Sequence, residues 1–236
     1  MSPTITTIRN AYRSAFQIPA AHPLLVGLTA VALVMATAAP WLLAMLGAGP
    51  WRFQWWHITI ISPILQTSVT APLQVAGYRL LLKGNRNERW WSGGTLAFFA
   101  LTALVSGTTL LGAQLRSVLG SVGSIAVLAM YHFYYRLVLA LPAMAIGASQ
   151  TPFRLSWNAT AGRFWFVFMV TAAAVVPIIV VSFLMLVAGQ MSVFGGPTTL
   201  SAAVVQACVS VVATLLVVGA IAAVYRGLVS ENLATP

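Results

Sequence analysis

Long apolar stretches separated by short polar segments dominate the hydrophobic pattern of this chain. A membrane-spanning helix needs about 20 predominantly apolar residues, because each residue adds ~1.5 Å to a helix that crosses ~30 Å of hydrocarbon. Six stretches reach that length, at residues 24–46, 57–82, 94–115, 118–141, 164–188 and 199–229. The pattern predicts an all-α, polytopic bundle of six transmembrane helices, which form a single integral membrane domain over residues 1–236.

Two shorter segments have the periodicity of amphipathic helices. In residues 1–22, an aromatic and aliphatic face that includes Tyr12 adjoins a basic face with Arg9 and Arg13. Such a helix suits the headgroup layer of a membrane, where its apolar side is buried and its arginines meet lipid phosphates. We therefore expect residues 1–22 to form an interfacial N-terminal helix that leads into the first span.

The second amphipathic segment is residues 151–162. Thr151 followed by Pro152 is typical of a helix N-cap with proline at the first helical position. Phe153 and Trp157 then share one face of the helix, and Arg154 lies on another. This segment is predicted to be a second interfacial helix, on the same side of the membrane as the first.

Composition supports a membrane location and argues against a soluble domain. The chain is 60% hydrophobic and only 6% charged, and its mean hydropathy is +0.92. A soluble protein carries about 25% charged residues. The chain has twelve basic residues and two acidic ones. Because no cluster of basic residues lies within a soluble fold, nucleic-acid binding is not expected. We expect the basic residues to meet anionic headgroups of membrane lipids on the cytoplasmic side.

Basic residues also indicate the orientation of the six spans. Arg52 and Arg116 fall on one side of the membrane and the other ten on the opposite side, which is the arrangement of the positive-inside rule. Both termini are therefore predicted to be cytoplasmic. The ten residues are Arg9, Arg13, Arg79, Lys83, Arg86, Arg89, Arg136, Arg154, Arg163 and Arg226.

A Tyr-Arg pair marks the end of every second span. The pairs are Tyr78-Arg79, Tyr135-Arg136 and Tyr225-Arg226. With six spans, the chain divides into three hairpins, and because each hairpin crosses the membrane twice, the repeats are parallel. Two interpretations of the pairs stay open. Each arginine reaches to the nearest headgroup while its tyrosine marks the interface, or the three arginines converge on one pocket for an anionic lipid headgroup.

The second predicted span is more polar than the others. Gln66, Ser68 and Gln74 lie within it, and Pro63 and Pro72 interrupt it. A side-chain amide in lipid needs a hydrogen-bond partner, and a proline leaves a backbone carbonyl for a neighbouring hydroxyl to satisfy. This helix is predicted to be central, with its three polar side chains in a polar bundle interior.

Catalytic chemistry has few candidate residues in this chain. Glu88 and Glu231 are the only carboxylates and fall in predicted exposed cytoplasmic segments, and Cys208 is the only cysteine. General acid–base catalysis usually needs a carboxylate or histidine in a suitable environment, and no serine is paired with one here. His22 and His132 lie toward the same side and are weak candidates for haem ligation. We expect no catalytic residues, no metal and no cofactor.

Two segments carry a resemblance to known proteins. The first is Arg136-Leu-Val-Leu-Ala-Leu-Pro-Ala-Met-Ala-Ile-Gly, and the second runs from Leu155-Ser156-Trp157 to Gly162-Arg163-Phe164-Trp165. They are similar to uncharacterised bacterial six-helix inner-membrane proteins and resemble the membrane domain that precedes some bacterial glycerophosphodiester phosphodiesterases. The resemblance implies a bacterial cytoplasmic-membrane protein. No catalytic domain of that kind is present, so it implies no active site.

Short loops on both sides leave little room for a soluble activity. The sequence therefore favours a non-enzymatic accessory or scaffold subunit that packs against a membrane-protein partner, or a second copy of itself, and against anionic lipid. The alternative is a small carrier or channel for a lipid or neutral solute, which would use the polar interior around Gln66, Ser68 and Gln74. An enzyme that acts on a lipid is a third interpretation.

Overall fold

The computed structural model describes residues 3–45, 62–84, 93–147, 151–189 and 199–234, and these residues are almost entirely helical. No strand occurs among them. The all-helical class predicted from the sequence is confirmed for this part of the chain. In chain order the helices are α1 (Pro3–Ala15), α2 (Gln17–Ala21), α3 (Pro23–Met45), α4 (Ser62–Lys83), α5 (Gly93–Leu137), α6 (Ala140–Ile146), α7 (Pro152–Ala159), α8 (Phe164–Val187) and α9 (Leu200–Ala234).

Three helical segments of the described residues are long and apolar enough to cross a membrane. They are Gly120–Ile146, Phe164–Val187 and Leu200–Val229. Residues 4–38 add a fourth if their two arms, which meet at a 94° bend beside His22, form one span. Exposed side chains on α3 and α8, such as Leu28 and Phe183, are apolar, as lipid-facing positions require. The structure is thus compatible with a multi-pass membrane protein that has three or four candidate spans.

The six predicted spans are not all recovered, and α4 gives one physical reason. Its glutamines, serines and threonines, with Arg79 near its end, make it too polar to pass as a spanning helix by composition. Residues 57–61, the first part of that predicted span, lie outside the described residues, as do Arg52, Arg86, Glu88 and Arg89. The repeat of three hairpins is likewise not recovered from the helices that qualify as spans.

Although α4 is polar for a membrane helix, it is deeply buried. It packs against α3, α5, α6 and α9. Ala71, Leu73 and Val75 are fully enclosed, and Tyr78 at its far end is 1% exposed. A helix covered by protein on several sides need not be apolar enough to face lipid. This agrees with the predicted central position of the second apolar stretch.

Helix α9 forms the other part of the core and makes a close contact with α1. It packs against α1, α3, α4 and α8. A Cβ atom added at Gly219 would lie 2.5 Å from the carbonyl oxygen of Ala11 and 3.1 Å from the Cβ of Ala15, both in α1. Small residues on both helices allow the two backbones to approach closely. The buried face of α1 is therefore its alanine face, while Arg9 and Arg13 remain exposed.

The turn that was expected at Arg116-Ser117 lies a few residues later. Helix α5 continues through both residues, and its backbone leaves helical values at Gly120, which has φ 56° and ψ −124°. A positive φ is strained for residues with a Cβ atom, so glycine suits this break. The interruption divides α5 into a segment before Gly120 and a candidate span after it.

Helix α5 ends because of a proline. Pro142 has no N–H to donate to the carbonyl of Val138, and its ring opposes a continuous helix there. The chain makes a turn at residues 138–139, where the N–H of Leu141 reaches the Val138 carbonyl at 3.3 Å, and then continues as α6. Gly147 ends α6 in the left-handed region with φ 63°. This arrangement places α6 and α7 beside the end of α5.

Candidate functional site

The first Tyr-Arg pair is enclosed by protein. Tyr78 is buried and meets Phe98 edge-on, with 6.1 Å between ring centroids. Arg79 is 7% exposed, and its Nε donates a hydrogen bond to the carbonyl oxygen of Ala145 at 2.7 Å. Ala145 belongs to the last turn of α6, where a cation is favourable because helix C-terminal carbonyls lack intrahelical donors. Arg79 thus ties the end of α6 to α4.

The second pair is the centre of a more elaborate group of contacts. The Nη1 of Arg136 donates to the carbonyl oxygen of Trp157 at 3.2 Å, and its Cζ lies 4.5 Å from the centroid of the Trp157 ring. The carbonyl oxygen of Arg136 accepts a hydrogen bond from the hydroxyl of Ser156 at 2.7 Å. The hydroxyl of Thr160 lies 3.3 Å from the same oxygen, but its single proton has a closer acceptor in the carbonyl of Ser156, at 2.9 Å. We call Arg136, Ser156, Trp157 and Thr160 the Arg136 cluster.

The Arg136 cluster has a local physical origin. Since α5 ends at Leu137, the carbonyl of Arg136 is one of the last four, which have no regular intrahelical donor. Ser156 and Thr160 are four residues apart, so both hydroxyls lie on the face of the α7 segment that is next to this oxygen. The hydroxyl of Ser156 acts in place of the missing backbone donor. The guanidinium in turn covers the ring of Trp157, a cation–π arrangement that also holds α7 in place.

Aromatic rings surround this cluster on the α5 and α8 side. Tyr135 lies 5.9 Å from Phe164 and 5.3 Å from Phe168, both in near-perpendicular arrangements between ring planes. His132 lies 4.8 Å from Phe164, also between centroids. The edge-to-face contacts of Tyr135 are favourable beyond the area that they bury. They fix the start of α8 at the level of the Tyr135-Arg136 pair.

The third pair has a buried tyrosine and an exposed arginine. Tyr225 is 6% exposed and belongs to the core on α9, whereas the side chain of Arg226 is exposed. The three pairs are equivalent in the sequence, but their surroundings differ: Arg79 is buried, Arg136 is half-buried and Arg226 is exposed. The hydrogen bonds of Arg79 and Arg136 given above go to different helices.

Polar side chains of α4 form hydrogen bonds within the same helix. The side-chain amide nitrogen of Gln74 donates to the hydroxyl of Thr70 at 3.3 Å, and that hydroxyl donates to the carbonyl of Thr67 at 3.1 Å. Gln66 and Ser68 are half-buried and also take part in polar interactions. Gln74 is thus bonded within its own helix, while the sequence suggested a partner on another helix.

An apolar groove lies between α8 and α9 and has a volume of about 330 Å³. It opens beside Pro177 and runs along the exposed face of α9 past Cys208, which is exposed. No charged or amide side chain lines it. The lining residues are Pro177, Ile178, Val181, Val204, Val205, Cys208, Val209, Val212 and Leu216. The groove suits an aliphatic ligand or the side chains of another helix and offers nothing for acid–base chemistry.

Sequence reasoning singled out Arg136 but missed Ser156 and Thr160. Both hydroxyl residues are fully buried, although the faces recognised in α7 were the aromatic one and the basic one. A signal was present, because two hydroxyl residues four positions apart between aromatic residues suggest a face that bonds to backbone. Thr151 precedes α7 as predicted, with Pro152 in the first turn, but its side chain makes no capping hydrogen bond.

Among the described residues, no group of three or more histidine, cysteine or carboxylate side chains could hold a metal ion. Comparisons with protein-family models, curated proteins and solved structures give no match to this chain. The functional argument therefore rests on the geometry of the Arg136 cluster and of the apolar groove.

Proposed function

We propose that this protein is a non-enzymatic, multi-pass membrane protein that acts as an accessory or scaffold subunit. It would pack against a transmembrane helix of a partner protein and hold anionic lipid at its cytoplasmic side. The observation that carries the proposal is the apolar groove between α8 and α9. A groove of this chemistry on the exposed side of two helices fits aliphatic side chains of another helix.

The polar interior that a solute carrier needs has less support. Gln74 bonds to Thr70 within α4, and the groove between α8 and α9 is lined by apolar side chains and a cysteine. A carrier or channel for a lipid or neutral solute remains the alternative, because α4 is rich in hydroxyl and amide groups. Solute flux into liposomes that contain the purified protein would favour that alternative.

We further propose six spans arranged as three parallel hairpins, with both termini in the cytoplasm. The distribution of basic residues supports this orientation. The resemblance of residues 136–147 and 155–165 to bacterial inner-membrane proteins supports the bacterial cytoplasmic membrane as the location. On this topology the pairs Tyr78-Arg79, Tyr135-Arg136 and Tyr225-Arg226 all lie toward the cytoplasmic leaflet, where their arginines would meet anionic headgroups.

Two adjacent valines allow a matched test of the partner proposal. Val181 lines the groove and Val180 does not, although both are exposed on α8. Val181→Trp would fill the groove, and Val180→Trp adds the same bulk on a different part of the surface. Each protein is purified from its native membrane in mild detergent, and bound proteins are identified and quantified by mass spectrometry.

We expect a partner protein to co-purify in stoichiometric amount with the wild-type protein. This partner should be lost from Val181→Trp and retained by Val180→Trp. A second copy of this chain in the groove would appear as a dimer with the same dependence on Val181. If the wild-type protein has no stoichiometric partner, or if both variants retain it equally, the groove is not a partner site.

A further inference from the structure

We propose that the Arg136 cluster binds the phosphate group of an anionic glycerophospholipid. This inference rests on the lipid-binding part of the proposed function and narrows it from three arginines to one site. The juxtaposition that carries it is a guanidinium held against Trp157 at the end of α5, with a buried Nε that has no hydrogen-bond partner.

The guanidinium of Arg136 has unused hydrogen-bonding capacity. It carries five N–H donors in one plane. Nη1 donates to the carbonyl of Trp157, while Nε is buried without a partner. A buried donor of a charged group that lacks an acceptor is costly. Because the N–H groups point outward in the plane of the guanidinium, a further acceptor must approach in that plane, which is the geometry in which arginine binds phosphate oxygens.

The protein supplies little negative charge that could complete the site. The sequence has no aspartate or glutamate between Glu88 and Glu231. Arg154 in α7 and Arg163 just before α8 flank Ser156 and Thr160, and both arginine side chains are exposed. Three arginines thus lie within 28 residues of sequence, near the end of α5, within α7 and just before α8. An anion from outside the chain would lower the repulsion between them and would accept from Arg136.

The surroundings favour a lipid as the source of that phosphate. Large aromatic side chains on this part of the surface are exposed: Phe133 is 56% exposed, Phe153 47% and Trp165 68%. Exposed aromatic rings beside cations are characteristic of the layer between lipid headgroups and acyl chains. A free phosphate ion has no apolar part that these rings could contact. The ring of Trp157, which lies against the guanidinium, is itself exposed.

The test uses native mass spectrometry of the full chain, released from nanodiscs that contain equal amounts of phosphatidylglycerol and phosphatidylcholine. Arg136→Lys keeps the charge but removes the planar fork of donors. Arg154→Gln combined with Arg163→Gln removes two exposed charges without touching the Arg136 cluster. The matched control is Arg9→Gln combined with Arg13→Gln, which makes the same change of charge on the exposed face of α1.

We expect bound phosphatidylglycerol to fall roughly tenfold with Arg136→Lys, the change that corresponds to loss of a charged hydrogen bond. It should fall several-fold with the Arg154 and Arg163 double variant, and by less than half with the control. If Arg136→Lys does not fold, the double variant and its control decide the question alone. A parallel titration with inorganic phosphate should leave the bound lipid in place.

Equal retention of phosphatidylglycerol by folded Arg136→Lys and wild type, or by the two double variants, would overturn the proposal. Displacement of the lipid by millimolar inorganic phosphate would show a phosphate-ion site instead. Partner capture is measured on the same variants, so that a failed lipid site leaves the groove result unchanged and a failed partner proposal leaves the lipid result unchanged.

Discussion

The hydroxyl of Tyr12 donates a hydrogen bond to the carbonyl oxygen of Ala173, at a distance of 2.8 Å. Pro177 lies four residues after Ala173 in α8 and has no N–H, so the helix offers this carbonyl no donor of its own. If α8 spans a membrane, as its length and composition allow, water cannot take the place of that donor. The hydroxyl of Tyr12 therefore supplies the donor that Pro177 cannot give to the carbonyl of Ala173, and this bond holds α1 against α8.

Removal of the Tyr12 hydroxyl should destabilise the protein measurably. Tyr12→Phe keeps the ring but leaves the carbonyl of Ala173 without a donor. We expect the free energy of unfolding to fall by about 0.5–1.5 kcal/mol, which is typical of a lost hydrogen bond. Denaturant unfolding in mild detergent measures this change. Tyr131→Phe is the matched control, because Tyr131 is exposed, and it should have little effect.

A double-mutant cycle with Pro177→Ala separates the hydrogen bond from simple packing. Alanine restores an N–H four residues after Ala173, so the helix can satisfy that carbonyl itself. In the Pro177→Ala background, Tyr12→Phe should therefore cost clearly less than in the wild type. An equal cost in both backgrounds would mean that Tyr12 does not compensate for the proline.

The close contact between α1 and α9 leads to a second prediction. Gly219→Ala places a Cβ atom 2.5 Å from a backbone oxygen of α1, which cannot move without displacing the helix. Overpacking of this kind typically costs about 1–3 kcal/mol. Gly227→Ala lies in the same helix and its Cβ would meet nothing within 4 Å. That variant should be neutral or slightly stabilised, since alanine is favoured over glycine in a helix interior.

Thermal unfolding of both glycine variants in the same detergent tests this contact. Proteolysis of α1 at Arg9 and Arg13 gives a local measure of how firmly the helix is held, since both side chains are exposed. Faster cleavage of Gly219→Ala alone supports the packing described here. Equal stability of the two variants would contradict it.

The hydroxyls of Ser156 and Thr160, which lie beside the carbonyl of Arg136, should control how firmly α7 is docked. Ser156→Ala combined with Thr160→Val removes both donors at buried positions. We expect local opening of α7 to become easier by about 1–3 kcal/mol. Since 1.4 kcal/mol corresponds to a factor of ten, limited trypsin digestion should cut after Arg154 roughly five to a hundred times faster.

Ser124→Ala is the control for this prediction. Its hydroxyl also bonds to a backbone carbonyl, that of Gly120, but the contact is exposed and lies in α5 away from α7. Cleavage after Arg154 should stay at the wild-type rate in this variant. If the Ser156 and Thr160 double variant is also cleaved at the wild-type rate, the hydroxyls do not hold α7 on α5.

Composition and periodicity were sufficient to predict the helical class, several helices apolar enough to span a membrane, and the existence of α7. They depend on local properties: long apolar runs, an N-terminal proline and few charges. Contacts between distant residues were not accessible in this way. Tyr12 and Ala173 are 161 positions apart, and the pattern around Tyr12 suggested an interfacial aromatic residue. The sequence pattern did not indicate that Ala11 and Ala15 would form the buried face of α1.

The Tyr-Arg pairs illustrate the same limit at the candidate site. The repeat in sequence suggested three equivalent positions, yet Arg79 is enclosed by α4 and α6 while Arg226 is exposed. Exposure is decided by which helices pack nearby, and the local dipeptide carries no information on that. Pro142 and Trp157 were recognised as parts of one motif, and the structure adds the reason: the proline ends α5, which leaves the carbonyl of Arg136 for α7 to satisfy.

The number of spans can be decided by labelling single cysteines from one side of the membrane. Cys208 is the only cysteine of the chain, so Cys208→Ala gives a background for introducing others. Lys83, Ser121, Thr151 and Ala188 are exposed and lie near the ends of α4, the Gly120 break, α7 and α8. With six spans, cysteine at 121 or 188 should react with an impermeant maleimide in intact cells. Cysteine at 83 or 151 should react only after the cells are permeabilised. Reaction at 83 and 121 from the same side would mean that α5 before Gly120 does not cross the membrane, and the three-hairpin arrangement would be wrong.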